Sequence, residues 1–416
     1  MGIKGLNKFI QIYAPNAITK LTIDDLKYKT IAFDTSILIY QFVIAIRNTG
    51  VDLTNNEGNI TSHIHAIIMK TLSFLKKKIN PVFVFDGRPP QIKMSTLKER
   101  SKNRQSAISQ LKDEHVSINK EQKIKLLKQS VVITGKQMEQ CKEILRLIGI
   151  PVIESAEEAD PQCAYLSKEK LVDAIASEDM DLLTFGVEKL LKNISGTEII
   201  QITLSKILEE TKLTQDQFID LCIMMGCDYC NTIDGIGMNR AFTLIKKYGS
   251  LDVIVNLPHI RIGSNITYVS DEFRNKYVVA RNYFKNPPIN LDFGEIKWNK
   301  PDYNKLSQVL INKYSYNKFT VDKLLQRPLN GGHYVTITGK NNKQLMIDRE
   351  FSTHMTILNI NNNRSTTDDI DHDFIDDDDI DPEMQDSVDI ENILNITHKN
   401  NIKNLINNNN NNAEDF

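Results

Sequence analysis

The sequence lacks any apolar run that approaches the roughly 20 residues of a transmembrane helix. Its first residues also lack the apolar centre of a signal peptide. Gly2 suggests an N-myristoylation motif, but Leu6 stands where that motif requires Ser or Thr. Cysteine occurs only five times in 416 residues, and this odd number favours reduced thiols over a disulfide framework. We therefore expect an intracellular protein that does not associate with membranes.

Acidic charge is sparse in the body of the chain and concentrated at its end. Residues 341–416 contain 17 acidic and five basic residues, which leaves 36 acidic and 46 basic residues for residues 1–340. The end also carries an Asn run at 408–412 and shows little apolar periodicity, which predicts a disordered tail. Such a tail solubilises the protein, or it mimics a polyanion within the molecule.

Apolar, β-branched runs alternate with helical patterns in the first half of the body. The strand-like runs cover residues 30–34, 81–86, 150–154 and 171–176, and helical periods cover, for example, residues 62–77 and 136–148. This alternation predicts an α/β fold with a mainly parallel central sheet flanked by helices on both faces.

Seven carboxylates recur at or beyond the ends of these strand-like runs. Asp34 closes the first run and Asp86 closes the second, and in an open α/β sheet the carboxyl ends of the strands form the functional edge. Asp179 and Asp181 would face the same side of an extended segment, because side chains alternate with a period of two. The full set is Asp34, Asp86, Glu158, Asp160, Asp179, Asp181 and Asp228.

Seven carboxylates in one pocket repel one another strongly unless divalent cations neutralise them. Oxygen ligands favour Mg²⁺ or Mn²⁺ over zinc, and two such ions roughly 4 Å apart suit phosphodiester hydrolysis. Each acid taken alone has another interpretation, because an Asp at a strand end often caps a helix or forms a turn. Asp160 before Pro161 is typical of an N-cap, and Asp179 and Asp181 are compatible with a surface loop. The acids alone leave phosphatase and nuclease equally open.

Two further segments favour nucleic acid as the partner. Residues 93–128 contain ten basic and four acidic residues with few apolar positions, which predicts an exposed basic helix over the carboxylate edge. Gly235-Ile236-Gly237 precedes a predicted helix, and such a turn presents backbone N–H groups to a phosphate. Cys227 and Cys230 form a CxxC pair without a second Cys/His pair, so buried thiols are a better interpretation than a zinc or redox site.

Taken together, these residues resemble the eukaryotic and archaeal flap endonuclease family of structure-specific 5′ nucleases over roughly residues 1–335. The most specific motifs are the amino terminus up to Leu6, Asp34-Thr35-Ser36, the segment from Val84 to Pro90, Ser177 to Asp181, and Gly226 to Tyr229. The resemblance implies a PIN-like 5′ nuclease fold with a helical arch and a helix-two-turn-helix. It divides the chain into a nuclease region at 1–105, the arch at 106–135, a second nuclease region at 136–260, an extension at 261–340 and the tail.

The resemblance also implies roles for individual residues. All seven acids would hold or support two Mg²⁺ ions, with Mn²⁺ as a substitute, and Lys93 and Arg100 would stabilise charge on the scissile phosphate. Tyr40 would stack on a base, and Arg104 would also contact DNA. Gly2 would lie near the DNA junction, Arg47 and Lys70 would contact template phosphates, and Thr61 would lie at the pocket for a 3′ flap. Glu158 would also contact DNA, and Gly235, Gly237 and Arg240 would bind the downstream duplex beside a bound K⁺.

The sequence departs from the family at several of these places. The family usually carries Glu where this chain has Asp160, whose shorter side chain changes the reach of one ligand. Asn56 and Asn59 replace acids near Thr61, at the pocket for a one-nucleotide 3′ flap. The basic carboxyl terminus of the family is missing, and a sliding-clamp motif survives only in degenerate form at 344–351, between Gln344 and Phe351.

The resemblance thus implies a monomeric, Mg²⁺-dependent 5′-flap endonuclease and 5′→3′ exonuclease. Its DNA would be branched, with a 5′ flap or a nick, and its roles would be Okazaki-fragment maturation and long-patch base excision repair. It would act in the nucleus, or at a replication site if the source is viral. Two alternatives stay open: another branch of the superfamily that resects ends or cuts junctions and bubbles, and a DNA-binding scaffold without catalysis.

Overall fold

The structure is a computed structural model that describes residues 2–47, 53–112, 119–196, 198–262, 265–326, 336–338 and 342–344. All of them belong to the first of two compact units, residues 1–355, and the second unit, residues 356–416, lies outside the described residues. Most of the predicted tail and the clamp motif beyond Gln344 therefore also lie outside the described residues.

A seven-stranded sheet forms the centre of the molecule, in the order β1-β7-β6-β5-β2-β3-β4. The pairs β2/β3, β2/β5, β3/β4 and β5/β6 are parallel, whereas β7 pairs antiparallel with both β1 and β6. The strands are β1 (Ile18–Leu21), β2 (Thr30–Asp34), β3 (Asn80–Phe85), β4 (Val152–Glu154), β5 (Ala174–Ala176), β6 (Lys189–Lys192) and β7 (Ile199–Thr203). The predicted α/β fold with a mainly parallel sheet is confirmed, and the antiparallel edge is an addition.

Buried apolar runs explain the central strands. Every residue of β2 is buried, and so are the last five of β3, as expected for strands covered on both faces. Their register aligns Asp34 with Val84, so both strands end at the same edge. The strands predicted at 150–154 and 171–176 are shorter than expected, because the chain reaches them through turns after α6 and α7.

Fifteen helices occur in the described residues, and α2, α3 and α7 pack on the central strands. Short 3₁₀ turns lie at Pro15–Ala17, Ile23–Leu26 and Gln91–Lys93. The helices are α1 (Leu6–Tyr13), α2 (Thr35–Arg47), α3 (Ser62–Lys76), α4 (Met94–Lys112), α5 (Lys120–Gln129), α6 (Gly135–Ile148), α7 (Ala159–Lys168), α8 (Asp181–Phe185), α9 (Leu204–Thr211), α10 (Gln215–Met225), α11 (Met238–Tyr248), α12 (Leu251–Val255), α13 (Asp271–Lys285), α14 (Tyr303–Asn312) and α15 (Lys318–Gln326). Among the described residues, no helix combines the length and apolar character needed to cross a bilayer.

The basic segment predicted at 93–128 forms two helices, α4 and α5, which pack against each other. Residues 113–118 between them lie outside the described residues. Ala107 is the buried residue of α4, and the other side chains of this helix are exposed or half-buried. The prediction of an exposed basic helix rather than core is confirmed.

The carboxyl-terminal extension is fastened to the sheet by few but specific bonds. Trp298 is buried, and its indole N–H donates to the carbonyl of Pro81 in β3 at 3.0 Å. The N–H of Asn299 donates to the carbonyl of Gly149 at 2.8 Å. Short strands follow: β8 (Ile260–Ile262) pairs with β9 (Asn265–Thr267), and β10 (Ile296–Lys297), β11 (Thr336–Thr338) and β12 (Asn342–Gln344) form a small sheet.

Candidate active site

The seven predicted carboxylates converge at one edge of the central sheet, and we call them the carboxylate cluster. Asp34 ends β2 and Asp86 follows β3, while Asp179 follows β5. Electrostatic interactions link Asp34 to Asp86 and Asp179, and link Asp181 to Asp179 and Asp228. Asp160 interacts with Asp34, Asp179 and Glu158. Five elements distant in the sequence therefore bring their acids to one place.

A chain of hydrogen bonds orders the strand ends at the cluster. The Ser177 hydroxyl donates to Asp34 Oδ2 at 3.2 Å and accepts the N–H of Asp179 at 3.1 Å. Asp179 Oδ1 in turn accepts the N–H of Asp181 at 3.1 Å. Asp181 opens α8, so the prediction that Asp179 and Asp181 lie in one extended segment is wrong. The turn before α8, rather than strand alternation, brings these two acids together.

Helix α7 carries Glu158 and Asp160, and its start differs from the N-cap interpretation of Asp160. Glu158 is the N-cap residue, and Asp160 lies inside the first turn with its side chain buried. Asp86 reaches across from β3 and accepts the N–H of Ala159 at 2.8 Å. This contact gives a hydrogen-bond partner to one of the free N–H groups at the helix start. The carboxylate is also favourable there because the start of a helix carries a partial positive charge.

Burial and mutual repulsion disfavour the ionised form of several acids. Burial and the carboxylates of Asp86 and Asp179 raise the pKa of Asp34 to about 8. Burial, followed by the same kind of repulsion, raises the pKa values of Asp160 and Asp181 well above their usual range. A cluster of this kind requires added positive charge to hold all its members ionised at neutral pH.

Two cations from the start of the basic segment face the cluster, as the spacing of Lys93 and Arg100 predicts. Lys93 Nζ forms an ion pair with Glu158 and lies 3.3 Å from Asp228 Oδ2, and Arg100 Nη2 lies 2.6 Å from the same oxygen. Burial alone would lower the pKa of Lys93, but Glu158, Asp160 and Asp228 raise it. Lys93 is therefore a permanent ammonium.

Hydroxyl groups that the sequence patterns did not single out complete this contact network. Tyr229 donates its hydroxyl to Glu158 Oε2 at 2.5 Å, and Tyr283 lies 3.5 Å from the same oxygen. Thr96 donates to the carbonyl of Asp228 at 2.7 Å. The position of Tyr229 directly after Asp228 was the available signal, but Tyr283 is 125 residues from Glu158 and only the tertiary structure places it there.

The donor atoms of the cluster fit a hard divalent cation. Asp160 Oδ1 and Asp181 Oδ1 are buried without a hydrogen-bond partner, and the cluster offers oxygen ligands only. No group of three or more His, Cys, Asp and Glu side chains in the described part of the chain is arranged to hold an ion at once. The acids therefore lie close together, with the ammonium of Lys93 among them, but they do not surround a common point.

A cleft of ≈ 670 Å³ opens over the cluster and contains several predicted DNA contacts. Tyr40 and Arg104 line it together with Lys93 and Arg100. Gly2 does not line the cleft but lies against Asp179 and Asp181. Tyr40, Lys93, Arg100 and Arg104 thus share one opening.

Among the other predicted DNA contacts, Glu158 also lines this cleft, whereas Thr61, Lys70 and residues 235–240 do not. Lys70 places its ammonium 4.6 Å from the ring centre of Phe42, and Thr61 is buried at the start of α3. The side chain of Arg47 lies outside the described residues. Residues 235–240, which we call the duplex turn, lead into α11: Gly237 is its N-cap, and Arg240 donates to the carbonyl of Gly235 at 2.7 Å.

The cysteines agree with the interpretation as buried thiols. All five are free, four of them are buried and Cys227 is half-buried, and Cys227 and Cys230 face each other across an isolated antiparallel bridge. Burial raises the pKa of each to about 12, which keeps both protonated.

Comparison with known proteins agrees with the fold and with the sequence motifs. Residues 1–107 match the model of the XPG N-terminal domain, and residues 149–228 match that of the XPG I-region. Flap endonuclease 1-A of Sorghum bicolor is 38% identical over 333 residues, which are 79% of this chain and 86% of the relative. Flap endonuclease 1 of Plasmodium chabaudi chabaudi is 40% identical over 349 residues, 79% of this chain and 71% of the relative.

Solved structures give the same result. Flap endonuclease-1 from Methanococcus jannaschii aligns with a TM-score of 0.58 at 29% identity, over 75% of this chain and 95% of that chain. The catalytic core of Rad2 in complex with a DNA substrate shares the fold, with a TM-score of 0.60 at 24% identity over 79% of this chain and all of that chain. The protein belongs to the flap endonuclease family and is a structure-specific nuclease that acts on DNA flaps.

Proposed function

We propose that this nuclease is Mg²⁺-dependent and that the carboxylate cluster holds two Mg²⁺ ions, with Mn²⁺ as a substitute. The observation that carries the proposal is the set of buried carboxylates whose pKa values rise through burial and mutual repulsion, two of them with an unpartnered oxygen. When bound, the ions would activate water and stabilise the leaving oxygen of the phosphodiester. Asp160 reaches less far than the Glu of other family members and is the acid whose role we would examine first.

The side chains around the cluster would position the scissile phosphate. Lys93 and Arg100 both point at Asp228 from the helix start above it, so they can bind phosphate oxygens as the DNA enters. Tyr229 holds Glu158 through its hydroxyl and thereby orients one ligand. Tyr40 in the same cleft offers an aromatic face on which a base stacks, a contact worth about 1–3 kcal/mol per base.

The duplex would be held on either side of this cleft. Gly2, Arg47, Thr61, Lys70 and Arg104 are our candidates near the junction, and Gly235, Gly237 and Arg240 are those on the downstream duplex beside a K⁺ ion. In support, Gly237 begins α11, and a helix start with free N–H groups attracts phosphate. The partner would be branched DNA with a 5′ flap or a nick, and the protein would act as a monomer.

Further parts of the proposal rest on family membership. They are 5′→3′ exonuclease activity, Okazaki-fragment maturation and long-patch base excision repair, in the nucleus or at a viral replication site. The motif at 344–351 is our candidate for sliding-clamp binding, although Glu350 replaces one aromatic anchor. The named relatives are flap endonucleases, which favours the flap branch over junction-cutting and end-resecting branches and over a scaffold without catalysis.

A labelled double-flap DNA tests the metal proposal. We expect release of the 5′ flap near the junction with Mg²⁺, and none with EDTA. Asp181→Asn should abolish cleavage while binding in Ca²⁺ stays close to that of the wild type, because phosphate contacts supply most of the affinity. Asp292→Asn changes an exposed acid outside the cluster and serves as the matched control.

Two outcomes would contradict the proposal. Cleavage that persists in EDTA would exclude the metals, and full activity of Asp181→Asn would remove this acid from the mechanism. Flap, bubble, four-way and blunt-ended substrates assayed in parallel identify the branch, because a flap endonuclease should cut the flap substrate fastest.

A further inference from the structure

The amino-terminal segment contacts the carboxylate cluster closely at its start. The N–H of Lys4 donates to the carbonyl of Gly226 at 3.0 Å, two residues before Asp228. Gly2 has a φ of 87°, and a Cβ at this position would collide with the carboxylates of Asp179 and Asp181. The amino-terminal segment therefore lies against the side chains of Asp179 and Asp181 and against the backbone that leads to Asp228.

The same segment contacts the duplex turn at its other end. Helix α1 ends at Tyr13, whose hydroxyl donates to Asn239 Oδ1 at 3.2 Å, inside the first turn of α11. The Tyr13 ring packs 4.6 Å from Phe242, and Phe9 lies 5.0 Å from Tyr13 and 5.2 Å from Phe242. Three rings and one hydrogen bond thus fasten α1 to the start of α11.

The chain also runs directly from Asp228 to the duplex turn, but this connection is irregular. Between α10 and α11 it contains only an isolated bridge between Cys227 and Cys230 and no helix or extended strand. Helix α1 has no internal Gly or Pro and keeps a fixed rise of about 1.5 Å per residue. Helix α1 is a second connection between the same two places, and it is the regular one.

We infer that α1 is a brace that sets the distance between the carboxylate cluster and the duplex turn, and that Tyr13 and Asn239 are positioning residues for the site of cleavage. The inference rests on the proposed roles of the cluster and of the duplex turn. If the duplex is gripped at one end of the brace and cut at the other, the length between them selects the phosphate that is hydrolysed.

The spacing of DNA phosphates makes this selection sensitive. Successive phosphates of one strand advance about 3.4 Å along the duplex axis, so a shift of that size along the axis between turn and cluster moves the cut by one nucleotide. A smaller displacement raises the share of cuts at neighbouring phosphates. If the three rings only stabilised the fold, a variant in this cluster would change the melting temperature without changing the share of cuts at neighbouring phosphates.

Tyr13→Phe is the sharpest test, because it removes the hydroxyl and keeps the ring. We expect the share of products cut one nucleotide away from the main site to rise about two- to tenfold, the factor that one exposed hydrogen bond is worth. The rate at the main site should fall by a smaller factor. Product lengths on a 5′-labelled double-flap DNA are read at single-nucleotide resolution in Mg²⁺.

A double-mutant cycle identifies the partner of Tyr13. If Tyr13 acts through Asn239, the double variant Tyr13→Phe/Asn239→Ala should show the same product distribution as Asn239→Ala alone. Tyr277→Phe removes a comparable hydroxyl bond, to Asp252 at 2.9 Å, at a position outside the brace, and should leave the product lengths unchanged.

The outcomes separate the brace from the proposed function. Cleavage by the wild type without a metal ion would contradict the metal proposal. The distribution of product lengths could still be compared between the wild type and Tyr13→Phe. Identical product lengths for the wild type and Tyr13→Phe would overturn the brace, as would additive effects of Tyr13→Phe and Asn239→Ala. Thermal melting of each variant verifies that the compared proteins are folded.

Discussion

At the scale of single residues, the site depends on groups that hold the carboxylates as well as on the carboxylates. Tyr229 and Tyr283 both direct their hydroxyls to Glu158 Oε2, at 2.5 Å and 3.5 Å. Burial and the negative charge of Glu158 raise the pKa of Tyr229, so its hydroxyl remains a donor at neutral pH. The two tyrosines therefore allow a graded test of how much the orientation of one acid contributes.

We predict that Tyr229→Phe raises the Mg²⁺ concentration required for half-maximal cleavage by about 10- to 100-fold, the usual effect of removing a group that orients a metal ligand. Tyr283→Phe should have a smaller effect, because its contact with Glu158 is longer. A Mg²⁺ titration of flap cleavage measures both. Equal Mg²⁺ requirements for the two variants and the wild type would show that Glu158 needs no such support.

His65 gives a prediction about pH and stability outside the site. Burial lowers the pKa of His65 to about 4, and Tyr316 places its hydroxyl 3.3 Å from the ring nitrogen. The unfolded chain takes up a proton on this residue near pH 6.5, whereas the folded protein does not do so until about pH 4. The stability that His65 contributes is therefore complete above pH 6.5 and is lost as the pH falls to 4.

We predict that the wild type loses about 2–3 kcal/mol more unfolding free energy than His65→Gln between pH 7.5 and pH 4.5. Urea unfolding in EDTA measures both proteins at the two pH values, and the difference cancels the contribution of other titrating groups. Parallel pH profiles for the two proteins would show that His65 is protonated in the folded state.

At the scale of elements, the helix ends show how packing decides the cost of a local conformation. Gly149 ends α6 and Gly249 ends α11, and both have a φ of 85°. At Gly149 a Cβ would collide with the carbonyl oxygen of Asn299 and lie 2.8 Å from its carbon, whereas at Gly249 nothing lies within 4 Å. The two glycines share a positive φ and differ in what surrounds them.

We predict that Gly249→Ala costs about 1–2 kcal/mol of unfolding free energy, the cost of a positive φ in a residue with a Cβ. Gly149→Ala should cost at least about 3 kcal/mol, because the backbone of the carboxyl-terminal extension must also move. Thermal or urea unfolding compares the two variants. Equal costs would mean that the extension yields easily and does not fasten the sheet edge.

At the scale of the whole molecule, the charge distribution separates a basic body from an acidic end. Deletion of residues 356–416 removes 15 acidic and three basic residues and leaves the described residues intact. If the acidic end competes with DNA for the basic body, the truncated protein should bind flap DNA about two- to tenfold more tightly at 50 mM salt.

Salt separates this effect from a general gain in affinity. The advantage of the truncated protein should shrink at 200 mM salt, because screening weakens contacts between exposed charges. Fluorescence anisotropy in Ca²⁺ measures binding without cleavage. Replacing Asp376, Asp377, Asp378 and Asp379 with Asn should reproduce part of the effect, and unchanged affinity in both variants would leave the end with a solubilising role.

Sequence patterns alone were sufficient for the fold class and for those acids of the cluster that follow strands. Buried runs such as 30–34 and 81–86 carry their own strand signal, and acids at strand ends follow from the topology of a parallel sheet. The exposed basic character of α4 was equally predictable, because a helix without an apolar stripe cannot belong to the core.

Only the tertiary structure decided how those parts act on one another. It places Asp160 inside α7 rather than at its cap, joins Asp179 to Asp181 through a turn, and brings Tyr283 to Glu158 across 125 residues. It also makes α1 a link between the cluster and the duplex turn through Tyr13. The physical reason is that periodicity records which side of an element is buried, whereas the partner across the interface depends on packing between segments distant in the chain.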